Sequence, residues 1–213
     1  MRNVDGTERS MTKQGRGSLL RGLRQSRLGL WWLLALPWVL IVYRYADGTT
    51  YYGEFIHQTG RFSVWFLLLA LAIAPLRLTF PRAGWTLWLM QRRRYFGIAV
   101  FAYALPHLVA YLIKVETMER IFEDAQAWEM LAGWLAMVIF FFLAVTSSNY
   151  AVRYMGRAWK RLHRWVHAGA LLTILHWIFT AFDPFVAYVH LALLVLIEGW
   201  RLVRRYAVRP ATR

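Results

Sequence analysis

The stretch Phe66-Leu67-Leu68-Leu69-Ala70-Leu71-Ala72 decides the fold class of this 213-residue chain. A membrane-spanning β-strand alternates apolar and polar residues over about ten positions. This run does not alternate, so it reads as helix, and it belongs to a longer apolar block, Phe62–Leu76. Working outward, five more blocks appear: Leu28–Tyr43, Tyr95–Ile113, Met130–Thr146, Trp165–Phe182 and Pro184–Ile197. Several are shorter than the ~20 residues that cross a hydrocarbon core. Flanking Trp, Tyr and Arg extend them by sitting in the interface or snorkelling. The last block is the weakest, because Glu198 closes it early. The composition agrees: 59% of the residues are hydrophobic and 17% charged, against about a quarter charged in soluble domains. The reading is all-α, a polytopic membrane helix bundle of about six transmembrane helices over residues 28–200. A basic, Gly/Ser-containing tail over 1–27 precedes it, with the composition of a disordered segment, and a short basic tail over 201–213 follows. No internal repeat stands out.

The net charge of +15 invites a nucleic-acid reading, and its distribution argues against one. The basic residues lie in short patches between apolar blocks, as at the cytoplasmic edge of a membrane protein. Of the 26 basic residues, 22 fall on alternate connections: before the first block, between the second and third (Arg77, Arg82, Arg92, Arg93, Arg94), between the fourth and fifth, and after the sixth. The other connections hold most of the acids, among them Glu116, Glu119, Glu123, Asp124 and Glu129. This positive-inside pattern places both termini in the cytoplasm and requires an even number of spans. The first block lacks a small-residue cleavage site and reads as an uncleaved anchor. The absence of cysteine excludes disulfides, thiolate-ligated heme, Cys-bound iron–sulfur clusters and a Cys nucleophile.

Six histidines remain as carriers of chemistry. His57 and His163 lie at block edges, and His107, His167, His176 and His190 inside apolar blocks. Ionisable groups at membrane depth face a partner, a cavity or a cofactor, and a helix–helix hydrogen bond is the plain alternative for any one of them. Depth selects a pair. His107 lies twelve residues after Tyr95 and His176 eleven after Trp165, on spans of the same direction. At ~1.5 Å per residue they reach a similar level in the outer half. Two neutral imidazoles on facing helices can clamp one iron from both sides, which favours electron transfer over substrate binding at the metal.

His163 lies thirteen residues before His176, ~20 Å nearer the cytoplasm. On a straight helix the two side chains point about 140° apart. Either a kink brings both to hemes, or only one of them holds heme. His167 points away from His176 and reads as an interfacial polar residue. An inner heme needs a second ligand where Arg93 and Arg94 stand. Arginine has no free lone pair to give iron. These two are candidate partners for heme propionates or, as readily, positive-inside anchors. Small residues (Gly97, Ala99, Ala102, Ala104, Gly133, Ala136, Ala168, Gly169, Ala170) permit close packing, and Pro106 can kink the third span beside His107.

Several stretches resemble one family. His57-Gln58-Thr59-Gly60-Arg61, followed by a span ending Ala74-Pro75-Leu76-Arg77, resembles the heme-binding membrane subunit of the periplasmic methionine sulfoxide reductase system, the MsrQ (formerly YedZ) type. So does Arg93-Arg94-Tyr95-Phe96-Gly97 running through Tyr103-Ala104-Leu105-Pro106-His107, and so does Thr146-Ser147-Ser148 through Gly156, Trp159 and Leu162-His163-Arg164 to His176. Together these cover roughly residues 30–205. The resemblance implies a ferric reductase-like transmembrane fold in the bacterial inner membrane. It implies one or two b-type hemes held by His107, His176 and His163, and a flavin mononucleotide (FMN) site to which no residue here is matched. It also implies electron transfer from membrane quinol to a periplasmic molybdopterin-dependent sulfoxide reductase that repairs oxidised methionines. The wider family carries two histidines on its third helix, and Arg94 stands where the inner one belongs.

The chain has no G-x-G-x-x-G before a helix and no room for a nicotinamide or flavin reductase module, so electrons are expected from a membrane carrier or a separate protein. A self-sufficient transmembrane ferric reductase is the competing redox reading. A small non-redox transporter is the competing non-redox one, but inverted repeats and broken mid-depth helices do not stand out.

Overall fold

A computed structural model describes residues 27–115 and 117–207. The tail expectation for 1–26 and 208–213, and Glu116, fall outside these residues. Among the described residues nine helices follow in order: α1 Arg27–Ala46, α2 Tyr52–Thr79, α3 Gly84–Val115, α4 Met118–Gln126, α5 Trp128–Val145, α6 Asn149–Met155, α7 Arg157–His163, α8 Val166–Thr180 and α9 Phe185–Ala207. Five of them, α1, α2, α3, α5 and α9, are long and apolar enough to cross a membrane. α8 is shorter, at 15 residues, and runs antiparallel along α5. A Cβ on Gly169 would meet the Phe140 ring at 2.9 Å, and one on Gly133 would meet His176, which fixes that direction.

The bundle turns its apolar side chains outward as well as inward. Leu33, Leu36 and Leu40 on α1, Leu131, Leu135 and Phe142 on α5, and Val195, Leu196 and Val203 on α9 are all exposed. A face of that composition is stable against lipid, where only backbone polarity must be hidden. The buried seam is made of smaller or well-fitted groups, among them Val64, Leu67, Ala136, Ala170 and Ile174. Hydrophobic burial contributes little between helices in lipid, so close packing through small residues must hold them.

The helices overrun the apolar blocks that announce them. α2 and α3 have 28 and 32 residues, ~42 and ~48 Å at helical rise, against ~30 Å of hydrocarbon. The blocks mark only the embedded part. The overrun changes three assignments. His57 and Arg61 stand inside α2, Arg92–Arg94 inside α3 rather than in a loop, and α9 continues through Glu198 to Ala207. Residues 201–207 are therefore helix rather than tail. Glu198 is tolerated because its carboxylate is met at 2.8 Å by His167 Nδ1 and at 2.6 Å by Arg201 Nη2.

The fifth apolar block begins at a break in the helix. Between α7 and α8 the amides of Arg164, Trp165 and His167 donate to carbonyls three residues back, a tight 3₁₀-type turn. α1 and α3 are joined at a second interruption. Pro37 lies inside α1 and cannot donate to the helical ladder. The Tyr103 hydroxyl enters one bond further on, accepting from the Trp38 amide at 2.8 Å and donating to the Leu34 carbonyl at 2.8 Å.

Candidate functional site

Four helices, α2, α3, α5 and α8, enclose a cavity of roughly 270 Å³ in the half of the bundle nearer Tyr52. His107 on α3 and His176 on α8 face each other across it, with ring centres 6.5 Å apart and planes 82° to one another. The level shared by these two residues is therefore a feature of the fold.

Both rings are fixed by the same device. His107 Nδ1 lies 2.9 Å from the carbonyl oxygen of Ile56 on α2, and His176 Nδ1 lies 2.9 Å from that of Glu129 on α5. A carbonyl can only accept, so each Nδ1 carries the proton and each Nε2 keeps its lone pair. Four residues beyond each carbonyl stands a glycine, Gly60 and Gly133. In a helix the side chain at i+4 flanks the carbonyl of residue i. With glycine there the imidazole can approach. A Cβ would come within 3.0 Å of His107 Nδ1 at Gly60 and 2.8 Å of His176 Nδ1 at Gly133.

Two imidazoles with free Nε2 atoms on opposite sides of a cavity suit one metal ion between them. An imidazole nitrogen sits about 2 Å from its metal and its ring centre roughly 1.1 Å further back, so an opposed pair has centres about 6.2 Å apart. The observed 6.5 Å fits that separation. Among the described residues no group of three or more His, Cys, Asp or Glu gathers to hold a metal ion. Two protein ligands, His107 and His176, would suit a metal whose other ligands come from a macrocycle. Ala104, Gly133 and Ala136 on the wall leave room for a flat group.

The remaining histidines are placed elsewhere, apart from His57, which lies on the cavity wall with Arg61. His163 ends α7, stacked on Trp159 with ring centres 4.0 Å apart, its Nε2 3.1 Å from Thr146 Oγ1. Burial, then the nearby Arg93 and Arg94 guanidinium groups, push its pKa down to about 4, so it is neutral at pH 7. Arg94 donates to Asn149 Oδ1 at 2.7 Å, and Arg93 is exposed. Neither arginine lines the cavity. The structure thus groups His163, Arg93 and Arg94 at the end of the bundle that carries α7, apart from the facing pair. His167 is bound by Glu198 and by Arg201, which donates to its Nε2. His190 is buried between Trp65 and Trp177, ring centres 4.9 and 4.8 Å away, with Nδ1 on the Val186 carbonyl.

Sequence reasoning missed the carbonyls of Ile56 and Glu129, which have no signature of their own, and it read Gly133 as general packing. The usable signal was the recurrence of a glycine on each helix facing a deep histidine.

Residues 59–174 match the family described as ferric reductase like transmembrane component. A protein-methionine-sulfoxide reductase heme-binding subunit MsrQ from Azospira oryzae is 34% identical over 155 residues, 68% of this chain and 64% of the relative. The MsrQ proteins of Xanthomonas campestris pv. campestris and Xanthomonas euvesicatoria pv. vesicatoria are 32% and 31% identical over 167 residues, 75% of this chain and 73% of theirs. No solved structure matches the chain. The chain belongs to the ferric reductase-like transmembrane family, and within it to the MsrQ group.

Proposed function

We propose that this protein is the heme-bearing electron-transfer subunit of a methionine sulfoxide reductase system, with one b-type heme held between His107 and His176. One observation carries the reading: two imidazoles, each with Nδ1 tied to a carbonyl, face each other at 6.5 Å across a cavity. A heme bound there supplies a one-electron iron couple. The protein's own contribution is to present Nε2 from both sides, to prevent rotation of either ring, and to line the space with apolar groups that exclude water. Two protein ligands leave no open position on the metal, which suits relay rather than substrate chemistry.

His163, with Arg93 and Arg94, marks the inner end of the path. It is the candidate ligand for a second heme or a step in electron entry, and Thr146 must release its Nε2 in the first case. The family resemblance supplies the two ends of the path, membrane quinol as donor and a periplasmic molybdopterin-dependent sulfoxide reductase as acceptor, and FMN as a further cofactor. The distribution of basic residues supports the bacterial inner membrane with both termini cytoplasmic. A reporter that is active only in the cytoplasm, fused at Arg213, should then be active, and an active periplasmic reporter at that position would overturn the orientation.

The deciding experiment is the absorption spectrum of purified protein, oxidised and dithionite-reduced. The wild type should show low-spin bis-imidazole heme. His107→Ala and His176→Ala should each lose most of it, while His163→Ala should have a partial effect, on a second heme or on electron entry. Full heme occupancy in either of the first two variants, correctly inserted, defeats the assignment.

A further inference from the structure

The cavity wall carries two basic side chains besides the facing pair, His57 and Arg61. They are four residues apart on α2 and so share a helix face. The hydroxyls on the same wall are engaged. Ser63 donates to the Val100 carbonyl at 2.9 Å, Thr173 to Gly169 at 2.8 Å, Thr180 to His176 at 2.7 Å, and Tyr111 to Asp124 Oδ2 at 3.0 Å. Among the described residues neither His57 nor Arg61 has a hydrogen-bond or ion-pair partner.

An arginine is always charged, and Arg61 stands nine residues into α2, ~13 Å along the helix. Arg61 and His57 are both exposed, and Arg61 stands just before the embedded block at the rim of the cavity. Arg61 borders a cavity and follows Gly60, the residue against which the His107 ring packs. A group in the cavity that carries a carboxylate would give this guanidinium a counter-charge. A planar guanidinium matches a carboxylate bidentately.

We infer that Arg61, with His57 one turn before it, binds the carboxylate groups of the porphyrin seated between His107 and His176. This rests on the heme reading above. Arg61 is then a positioning residue: it selects which edge of the porphyrin faces the Tyr52 end of the bundle, beneath α4. Arg93 and Arg94, the carboxylate-binding candidates at an inner heme, do not line this cavity. The competing use of Arg61 is to snorkel to a lipid phosphate, which involves no porphyrin.

Esterified heme separates the two. Full-length cofactor-free protein in nanodiscs is titrated with heme and with heme dimethyl ester, which keeps the iron and the ring but hides both carboxylates. The wild type should bind heme about ten- to a hundredfold more tightly than the diester, the worth of a charge-assisted pair. Arg61→Gln should bring the ratio close to one by weakening heme alone, and Arg61→Lys should restore part of it. Diester binding with an unchanged bis-imidazole spectrum shows that Arg61→Gln is folded; if it binds neither porphyrin, the ratio in Arg61→Lys decides. A wild-type ratio near one, or an undiminished ratio in Arg61→Gln, or in Arg61→Lys where that variant decides, overturns the inference. Failure of the wild type to give a bis-imidazole spectrum with either porphyrin sinks the heme reading itself.

Discussion

At the scale of the residue, the site depends on two atoms that glycine lacks. Gly133 lets His176 reach the Glu129 carbonyl, and its replacement by alanine puts a methyl 2.8 Å from Nδ1. The methyl is held by helix backbone and the ring by its own helix, so the ring must rotate or the bond to Glu129 must break. Overpacking of this kind costs about 1–3 kcal/mol, and loss of an orienting bond to a ligating histidine lowers metal affinity about 10–100-fold. Gly133→Ala should therefore weaken heme binding by about that factor and broaden the low-spin signal in electron paramagnetic resonance. Gly60→Ala, at 3.0 Å, should show a smaller loss. Unchanged heme affinity in Gly133→Ala would mean that the ring tolerates displacement and that the carbonyl is not its anchor. The two histidines were legible because depth can be counted along a helix. Their carbonyl partners were not, because every residue has a carbonyl and only the fold aims one.

At the scale of the element, embedded helices were legible and their ends were not. Apolar blocks report where lipid lies, whereas helices persist through Arg92–Arg94 and Glu198 because those residues are compatible with helix and find partners beyond the hydrocarbon or across the bundle. The break at Arg164–Trp165 carries no proline or glycine to announce it. Pro37 removes one bond of the α1 ladder, and Tyr103 enters at the next, between Trp38 and Leu34. Tyr103 is buried and serves two backbone groups of α1 at once. Tyr103→Phe removes both bonds, and hydrogen bonds to buried backbone groups contribute about 0.5–1.5 kcal/mol each. The variant should melt at a lower temperature by an amount consistent with about 1–3 kcal/mol, followed by heme absorbance or by light scattering, with its heme content at low temperature unchanged. An unaltered melting curve would show that Trp38 and Leu34 close their own helical bond when the hydroxyl is gone.

At the scale of the whole molecule, charge is divided between the two ends. Arginines crowd the end that holds α6, α7 and the close of α9, while residues 114–129 carry five acids and two bases. Residues 118–126 of that segment form α4, which covers the end of the bundle nearer the cavity. Tyr111 connects the two, lining the cavity and donating to Asp124 at 3.0 Å. Asp124 is also met by Arg120 Nε at 3.2 Å, so it clamps α4 to α3 rather than standing free for a partner. Glu119 and Glu123 remain exposed on α4, with Arg120 reaching Glu123 only at 3.8 Å. Electrons leaving a cofactor in the cavity toward a soluble acceptor have their short exit beneath this helix. An acidic surface there steers an acceptor that presents a basic patch, and such steering weakens with salt. Neutralising Glu119 and Glu123 together to glutamine, with Asp124 left in place, should slow reduction of the acceptor proposed above several-fold at low ionic strength. The difference should close as salt screens both proteins over a Debye length of about 8 Å at 0.15 M. Heme content and potential should stay as in the wild type, since neither side chain lines the cavity. Equal rates for the variant and the wild type across the whole salt range would remove α4 from the docking surface and leave its acids as the mere complement of the basic end.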